Sequence, residues 1–184
     1  PVIAKARVAV IKKAADTKAQ LDGVPAEARG NIGYIFNRAL WLRREEKATE
    51  AAELMLSVPN DPTQALDADQ WWIERRFVSR TLLDLGDAQT AYRVASAAAV
   101  PSRENYRVEQ QFTSGWIALR FLDDASTALA HFAKVGQGTS NPIALARASY
   151  WQGRAAEALG KSNDARGHYE SAAATAGGDA AGVE

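Results

Sequence analysis

Apolar residues recur along this chain at helical spacing, interrupted by short polar turns. Ile3, Val10, Ala14 and Leu21 share one stripe, and Gly23 with Pro25 predicts the end of a first helix near residue 22. A second helix is expected over 26–43, anchored by Tyr34, Leu40 and Trp41. The Glu45 to Lys47 turn then leads into a helix from Ala48 to Ser57. Pro59, Asn60, Asp61 and Pro62 form the strongest break, so a subdomain boundary is expected there.

Beyond Asp67 the pattern is more regular. Trp71 to Leu85, the turn Gly86-Asp87 and Ala88 to Ala99 read as a helix pair that Pro101-Ser102 closes. A second pair runs over 103–122 and 125–135 with Asp123-Asp124 between, and a third over 142–159 and 165–176. Gly136 to Pro142 reads as the longest flexible loop, and the tail 177–184 is expected to fray. Laid over these pairs is an alanine followed four residues later by a larger or aromatic side chain: Ala88 with Tyr92, Ala128 with Phe132, Ala165 with Tyr169, and more weakly Ala48 with Ala52. The alanines recur about every 40 residues, the length of a stacked helix pair, and such pairs bury their apolar faces only against neighbours.

The fold predicted is therefore all-α: a right-handed superhelix, or solenoid, of tetratricopeptide-like helix pairs. Gly115 and Gly153 hold matching places on the first helix of their pairs, where crossing backbones need a small residue. Trp72, Trp116 and Trp151 are expected to fill the space beside them.

Composition agrees, since 38 of the 184 residues are alanine, so propensity favours helix over strand. Lys plus Arg equals Asp plus Glu at 22 each, which removes any global field drawing the chain to nucleic acid or an anionic membrane. Lys5, Arg7, Lys12, Lys13 and Lys18 stand against Asp16 alone at the start, a pattern most often the solvated face of a helix, and no partner is assigned to it. With no cysteine there is neither disulfide nor thiolate metal site. No apolar run is long enough to span a membrane. The chain opens at Pro1 with no charged n-region leading into an apolar one, so an export signal is expected to be absent or already removed.

Candidate chemistry is thin. His131 and His168 precede the aromatic of their motifs, about one repeat apart, too far to share one ion by that placement, and no metal or other cofactor is expected. Glu45-Glu46, Asp123-Asp124 and Asp84 with Asp87 lie beside turns, where carboxylates cap helices, and none has the apolar setting a general acid needs. Gly136-Gln137-Gly138 lacks both the lysine and the strand of a phosphate-binding loop. The arginines are richer, with Arg43-Arg44, Arg75-Arg76, Arg103 with Arg107, and Arg147 with Arg154 on the first helices of pairs or at their ends. Either they form ion pairs between repeats or they line a wall that grips carboxylates bidentately. Arg75, Arg76, Arg147 and Arg154 are the candidate ligand-binding residues; no catalytic residue is assigned.

Three ordered blocks resemble a known family. Trp71-Trp72-Ile73-Glu74-Arg75-Arg76 with Leu82-Leu83-Asp84-Leu85-Gly86-Asp87 and Ala91-Tyr92-Arg93 is the first, and Gly115-Trp116-Ile117-Ala118 to Leu122 with Ala128 and His131-Phe132 is the second. Ala146-Arg147-Ala148-Ser149-Tyr150-Trp151-Gln152-Gly153-Arg154-Ala155 with Glu157-Ala158, Gly160 and Tyr169 is the third. Together they are similar to the superhelical region of bacterial soluble lytic murein transglycosylases, over residues 31–176. The resemblance implies a U-type helical segment over 1–60 and a linker-type region of three helix pairs over 67–176. It implies a periplasmic protein directed at peptidoglycan. A covalently linked lysozyme-like domain would cleave between N-acetylmuramic acid and N-acetylglucosamine and leave a 1,6-anhydro product. That domain carries the family's catalytic glutamate in a Glu-Ser motif; Glu170-Ser171 lies inside a helix and is not that motif. After Ala174 the family continues with an aromatic-tyrosine-glycine-glutamine run, where this chain has Thr175-Ala176-Gly177-Gly178. The expected role is the non-catalytic helical part that positions glycan strands; the alternative is a stand-alone scaffold for a protein partner.

Overall fold

The computed structural model describes residues 2–58 and 67–181, with backbone alone for 178–181. The described residues form ten α-helices and one 3-10 turn, with no strand among them. The helices are α1 (Val2–Lys12), α2 (Thr17–Asp22), α3 (Ile32–Arg44), α4 (Ala48–Leu56), α5 (Ala68–Asp84), α6 (Ala88–Ser96), α7 (Glu104–Phe121), α8 (Ala125–Gly138), α9 (Pro142–Ala158) and α10 (Ser162–Ala181). Cα packing divides the chain into two compact units, Pro1–Val100 and Pro101–Glu184. The break at Pro59 to Pro62, and with it the expected subdomain boundary, lies outside the described residues.

The first unit opens on an apolar cluster of Ala6, Val10, Leu21, Val24, Tyr34 and Leu40, which holds α1, α2 and α3 together. The predicted single helix to residue 22 is two helices. Lys13 adopts a left-handed backbone at φ 52°, the Ala14 amide bonds the Ala9 carbonyl at 3.0 Å, and Thr17 caps back onto Ala9 and Ala14 carbonyls at 3.1 and 2.6 Å. No glycine announces this turn, so the apolar stripe reads straight through it. Pairs α3/α4 and α5/α6 complete the unit, with Phe36 meeting Trp71 edge-on at 4.9 Å.

The second unit contains pairs α7/α8 and α9/α10, with α8 also packed on α9. It differs from expectation in two places. The expected loop from Gly136 is the last turn of α8, which runs to Gly138; only 139–141 link it to α9. Asn141 caps α9 through the Ile143 and Ala144 amides at 3.0 and 3.2 Å, and Pro142 takes the first helical position, where its missing N–H costs nothing. Helix α10 continues through Gly177, where the tail is expected to fray, as far as Ala181.

One turn recurs within every pair. In α3/α4, α5/α6 and α9/α10 a left-handed residue, Glu46, Gly86 or Gly160, is followed by an amide that reaches back five residues: Lys47 to Leu42, Asp87 to Leu82 and Lys161 to Ala156, at 2.8 to 2.9 Å. This is the Schellman arrangement, which satisfies the last carbonyls of the first helix. In α7/α8 the left-handed residue is Asp123, and the Asp124 amide reaches Ala118, one residue further back, at 2.9 Å.

The turn fixes the register of the second helix. Four residues after Lys47, Asp87, Asp124 and Lys161 stand Ala51, Ala91, Ala128 and Ala165, each amide bonded to the turn carbonyl at 2.9 to 3.1 Å and each side chain buried. The repeated alanine of α6 is thus Ala91 and not Ala88, which is half-buried, and that of α4 is Ala51 beside the equally buried Ala48 and Ala52. Alanines three and four apart share a helix stripe, so sequence alone did not separate them. Eight residues before the turn residue lie Ala39, Ser79 and Gly153, all buried; in α7 the extra residue moves the small position to Gly115. Eight residues after it lie Met55, Ala95, Phe132 and Tyr169, the two aromatic rings standing where the facing small residue is glycine. A Cβ on Gly115 would sit 2.8 Å from Phe132 Cε1, and one on Gly153 would sit 2.5 Å from Tyr169 Cε1, closer than carbon atoms pack.

Of the three tryptophans expected beside the small positions, Trp72 is fully buried and Trp151 half-buried, stacked on Phe132 at 5.9 Å. Trp116 faces outward, 39% exposed, edge-on to the exposed Phe121 at 5.1 Å.

Candidate functional site

The structure distributes the four candidate arginines between two settings in unit 1 and one surface of unit 2. Arg75 is buried to 3% exposure within α5. Its terminal nitrogens donate to the Val94 carbonyl at 2.9 Å and the Met55 carbonyl at 2.5 Å, and its guanidinium lies 5.9 Å from the Trp71 ring. Both acceptors sit near the C-terminal ends of their helices, where unpaired carbonyls concentrate negative potential, so one guanidinium neutralises α4 and α6 together. Burial pulls its pKa down to about 10, which still leaves it charged at neutral pH, and Nε finds no partner among the described residues. Such a residue holds helices together and does not face a ligand.

Its neighbour Arg76 is half-buried, with its guanidinium 5.2 Å from the ring of Phe77. Arg43 lies over the same ring at 5.0 Å and is paired with Glu74, Nε on Oε2 and Nη2 on Oε1 at 3.4 Å. Of the two possibilities the sequence left open, this arginine takes the ion pair between successive helix pairs.

Unit 2 presents the other arrangement. Arg147 is exposed and stacks on the Phe112 ring at 4.4 Å. Seven residues on, Arg154 donates through Nη1 to the Tyr150 hydroxyl at 3.3 Å and lies 3.6 Å from Glu157 through Nε. Tyr169, reaching over from α10 into the space that Gly153 leaves, donates its hydroxyl to Glu157 Oε2 at 2.8 Å. Tyr150 and Tyr169 rings lie 5.8 Å apart, and Tyr150 meets Trp151 edge-on at 5.6 Å. Burial, followed by the Glu157 bond, pushes the Tyr169 phenol up to about 12, so it remains a donor throughout the neutral range. The Arg154 pKa is raised, first by its bond to Tyr150. A cleft of about 310 Å³ opens beside this group, lined by Glu157, Ser162, Arg166, Tyr169 and Glu170.

The spacing of Tyr150, Arg154 and Glu157 at i, i+4 and i+7 on α9 places them on one face, a signal present in the sequence. Sequence reasoning took Arg147 and Arg154 from that face and missed Tyr150 and Glu157. It named Tyr169 only as the aromatic of its repeat motif; the structure makes the ring half-buried, with its hydroxyl on Glu157.

His131 and the carboxylates Asp87, Asp124 and Asp22 make contacts within the chain. His131 is half-buried, with Nδ1 2.8 Å from Gln111 Oε1. Asp87 and Asp124 accept from the Thr90 and Thr127 amides at 3.0 Å and have lowered pKa values caused first by those threonines, the opposite of what a general acid requires. Asp22 is lowered as well, first by Lys18 and then by Arg38. Among the described residues no group of three or more histidine or carboxylate side chains converges as a metal site would require, and no helix is long and apolar enough to cross a membrane. Compared with protein-family models, curated proteins and solved structures, the chain matches none.

Proposed function

We propose that this chain is the non-catalytic superhelical region of a periplasmic peptidoglycan lytic transglycosylase, a right-handed superhelix of tetratricopeptide-like helix pairs that positions murein glycan strands for a lysozyme-like domain. The observation that carries the reading is the exposed face of α9 and α10, where Tyr150, Arg154, Glu157 and Tyr169 form one hydrogen-bonded group. Aromatic faces pack against the apolar faces of sugar rings, and the guanidinium binds the carboxylates of murein peptide stems. Arg147, in line with Arg154 on α9, extends the cationic side. The three sequence blocks that resemble the family support the same assignment, and Arg75 is withdrawn from the ligand contacts because of its burial.

Co-sedimentation with insoluble sacculi tests this. The chain should pellet at low ionic strength and less at high, because exposed charge contacts are screened and worth about 1 kcal/mol or less each. A Tyr150→Ala/Arg154→Ala variant with a parent-like melt should stay in the supernatant. Incubation with sacculi should release no 1,6-anhydromuropeptides. A folded variant that pellets like the parent removes glycan binding from this face. The second reading, a scaffold for a protein partner, then takes over, supported by the outward-facing Trp116 and Phe121 on α7.

A further inference from the structure

We propose that the cleft beside Tyr169 seats an uncharged pyranose ring, stacked on Tyr169 as Trp151 is stacked on Phe132. The proposal rests on the glycan-binding reading and narrows it to the sugar itself, apart from any contact with the peptide stems. Its ground is the likeness of the two helix pairs of unit 2. Aligned on Asp124 and Lys161 at the turns, Phe132 of α8 corresponds to Tyr169 of α10. With the extra residue of α7 allowed for, Phe112 corresponds to Tyr150. Phe112 and Phe132 lie 5.9 Å apart at 48°, and Tyr150 and Tyr169 lie 5.8 Å apart at 47°. Each of the two later rings also rests over a glycine, Gly115 or Gly153. The two seats are therefore built alike. They differ in the third member: Trp151 stacks on Phe132 at 5.9 Å with planes 29° apart, whereas Tyr169 meets no ring but Tyr150 among the described residues.

The residues around that open position also differ in kind. On α8, Ala125, Ala128, Leu129 and Ala133 accompany Phe132, all wholly or partly buried in a helix on which α9 packs. At the corresponding places α10 keeps only Ala165 and presents Ser162, Arg166 and Glu170, all three exposed. These four line the cleft of about 310 Å³ together with Glu157 and Tyr169. A further helix pair docked as α9 docks on α8 would strip water from Arg166 and Glu170, neither of which has an ion pair among the described residues. The position suits a small polar ligand instead. The lining also selects its chemistry. Glu157 and Glu170 repel a carboxylate or a phosphate, Arg166 repels an ammonium, and a hydroxyl, which both donates and accepts, satisfies either sign. A ring that stacks through C–H bonds on its face and carries hydroxyls at its rim is a pyranose. Glu157 is held in place for this contact, since the Tyr169 hydroxyl bonds Oε2 at 2.8 Å and leaves Oε1 to the ligand.

The test uses the full chain and a short soluble oligomer of N-acetylglucosamine, which has neither peptide stem nor charge, read by calorimetry and by amide chemical shifts. It should bind with a Kd on the order of a millimolar or below. Binding should not change with salt, unlike co-sedimentation with sacculi. The shifts should centre on residues 157–170. Arg166→Leu/Glu170→Ala, which gives α10 the residues that α8 has at two exposed positions, should melt like the parent and weaken binding at least about fivefold through lost charge-assisted hydrogen bonds. If that variant melts early, the shift map of the parent decides alone. No binding of the oligomer, shifts centred elsewhere, or undiminished binding by a folded double variant overturns the proposal. If the oligomer does not bind and the chain still pellets with sacculi through Tyr150 and Arg154, the sugar seat fails and the murein reading stands on its charged contacts. If the oligomer binds in the cleft and sacculi are not bound, the seat stands and the murein reading falls.

Discussion

At the scale of single residues, space decides which glycines are replaceable. Gly153 and Gly167 are both helical, in α9 and α10, yet only Gly153 faces a ring, since a Cβ on Gly167 meets nothing within 4 Å. Gly153→Ala should lower stability by about 1 to 3 kcal/mol by displacing Tyr169, while Gly167→Ala should raise it by about 0.5 to 1 kcal/mol through helix propensity and a less flexible unfolded chain. Thermal melts of the pair decide it, and opposite signs are expected. His131 supplies a second residue-scale outcome. Its pKa is lowered, first by burial and then by Lys134, with Asp124 pulling the other way. A base with a depressed native pKa contributes stability that is full above its unfolded value, about 6.5, and is lost as pH falls toward the native one. Melting temperature should therefore drop from pH 7.5 to pH 5 more steeply in the parent than in His131→Gln. Arg75 marks where sequence stopped being informative at this scale. Arg75, Arg147 and Arg154 all stand on the first helix of a pair, and only the burial of Met55 and Val94 around Arg75 separates a helix clamp from a surface cation.

At the scale of helices and turns, legibility tracks the local signal. The starts of α6, α8 and α9 were readable because Asp87, Asp124 and Asn141 cap them with side-chain oxygens, whereas α5, capped by Asp67, begins at Ala68, three residues before the expected Trp71. The α1/α2 turn was not, because its left-handed residue is Lys13, and the end of α8 was misplaced because Gly136 and Gly138 suggest a loop that Thr139 actually begins. The repeated turn supports a direct comparison. Gly86 and Glu46 occupy the same position at φ 83° and 60°. Gly86→Ala should cost about 1 kcal/mol. Glu46→Gly should add about 0.5 to 1 kcal/mol, the relieved strain less the flexibility gained by the unfolded chain. Chemical denaturation of both variants measures it, and a destabilised Glu46→Gly would mean the glutamate makes contacts that offset its backbone strain. The face of α9 was half legible. Two arginines stood out by charge, whereas Tyr150 and Glu157 acquire meaning only once Tyr169 is known to cross from α10.

At the scale of the molecule, the all-helical character was written in the alanine content and the periodicity, whereas the division at Val100 was not, since Pro101-Ser102 reads no differently from other repeat ends. Each unit has its own buried set, Leu21, Met55, Trp72 and Leu82 in the first and Ile117, Phe132 and Val135 in the second. Fragments 1–100 and 101–184 should therefore each give a helical circular dichroism spectrum and a cooperative melt. A fragment that fails to melt cooperatively would mean its core is completed by the other. The recurring turn has a kinetic meaning as well. Because each first helix meets the second through a link of three residues or so, the chain closes its main contacts across short loops, and short loops close quickly. Folding should be rapid for the length and able to start at whichever hairpin forms first. The late step in unit 2 would then be the seating of Tyr169 over Gly153, and weakening that seat should speed unfolding far more than it slows folding.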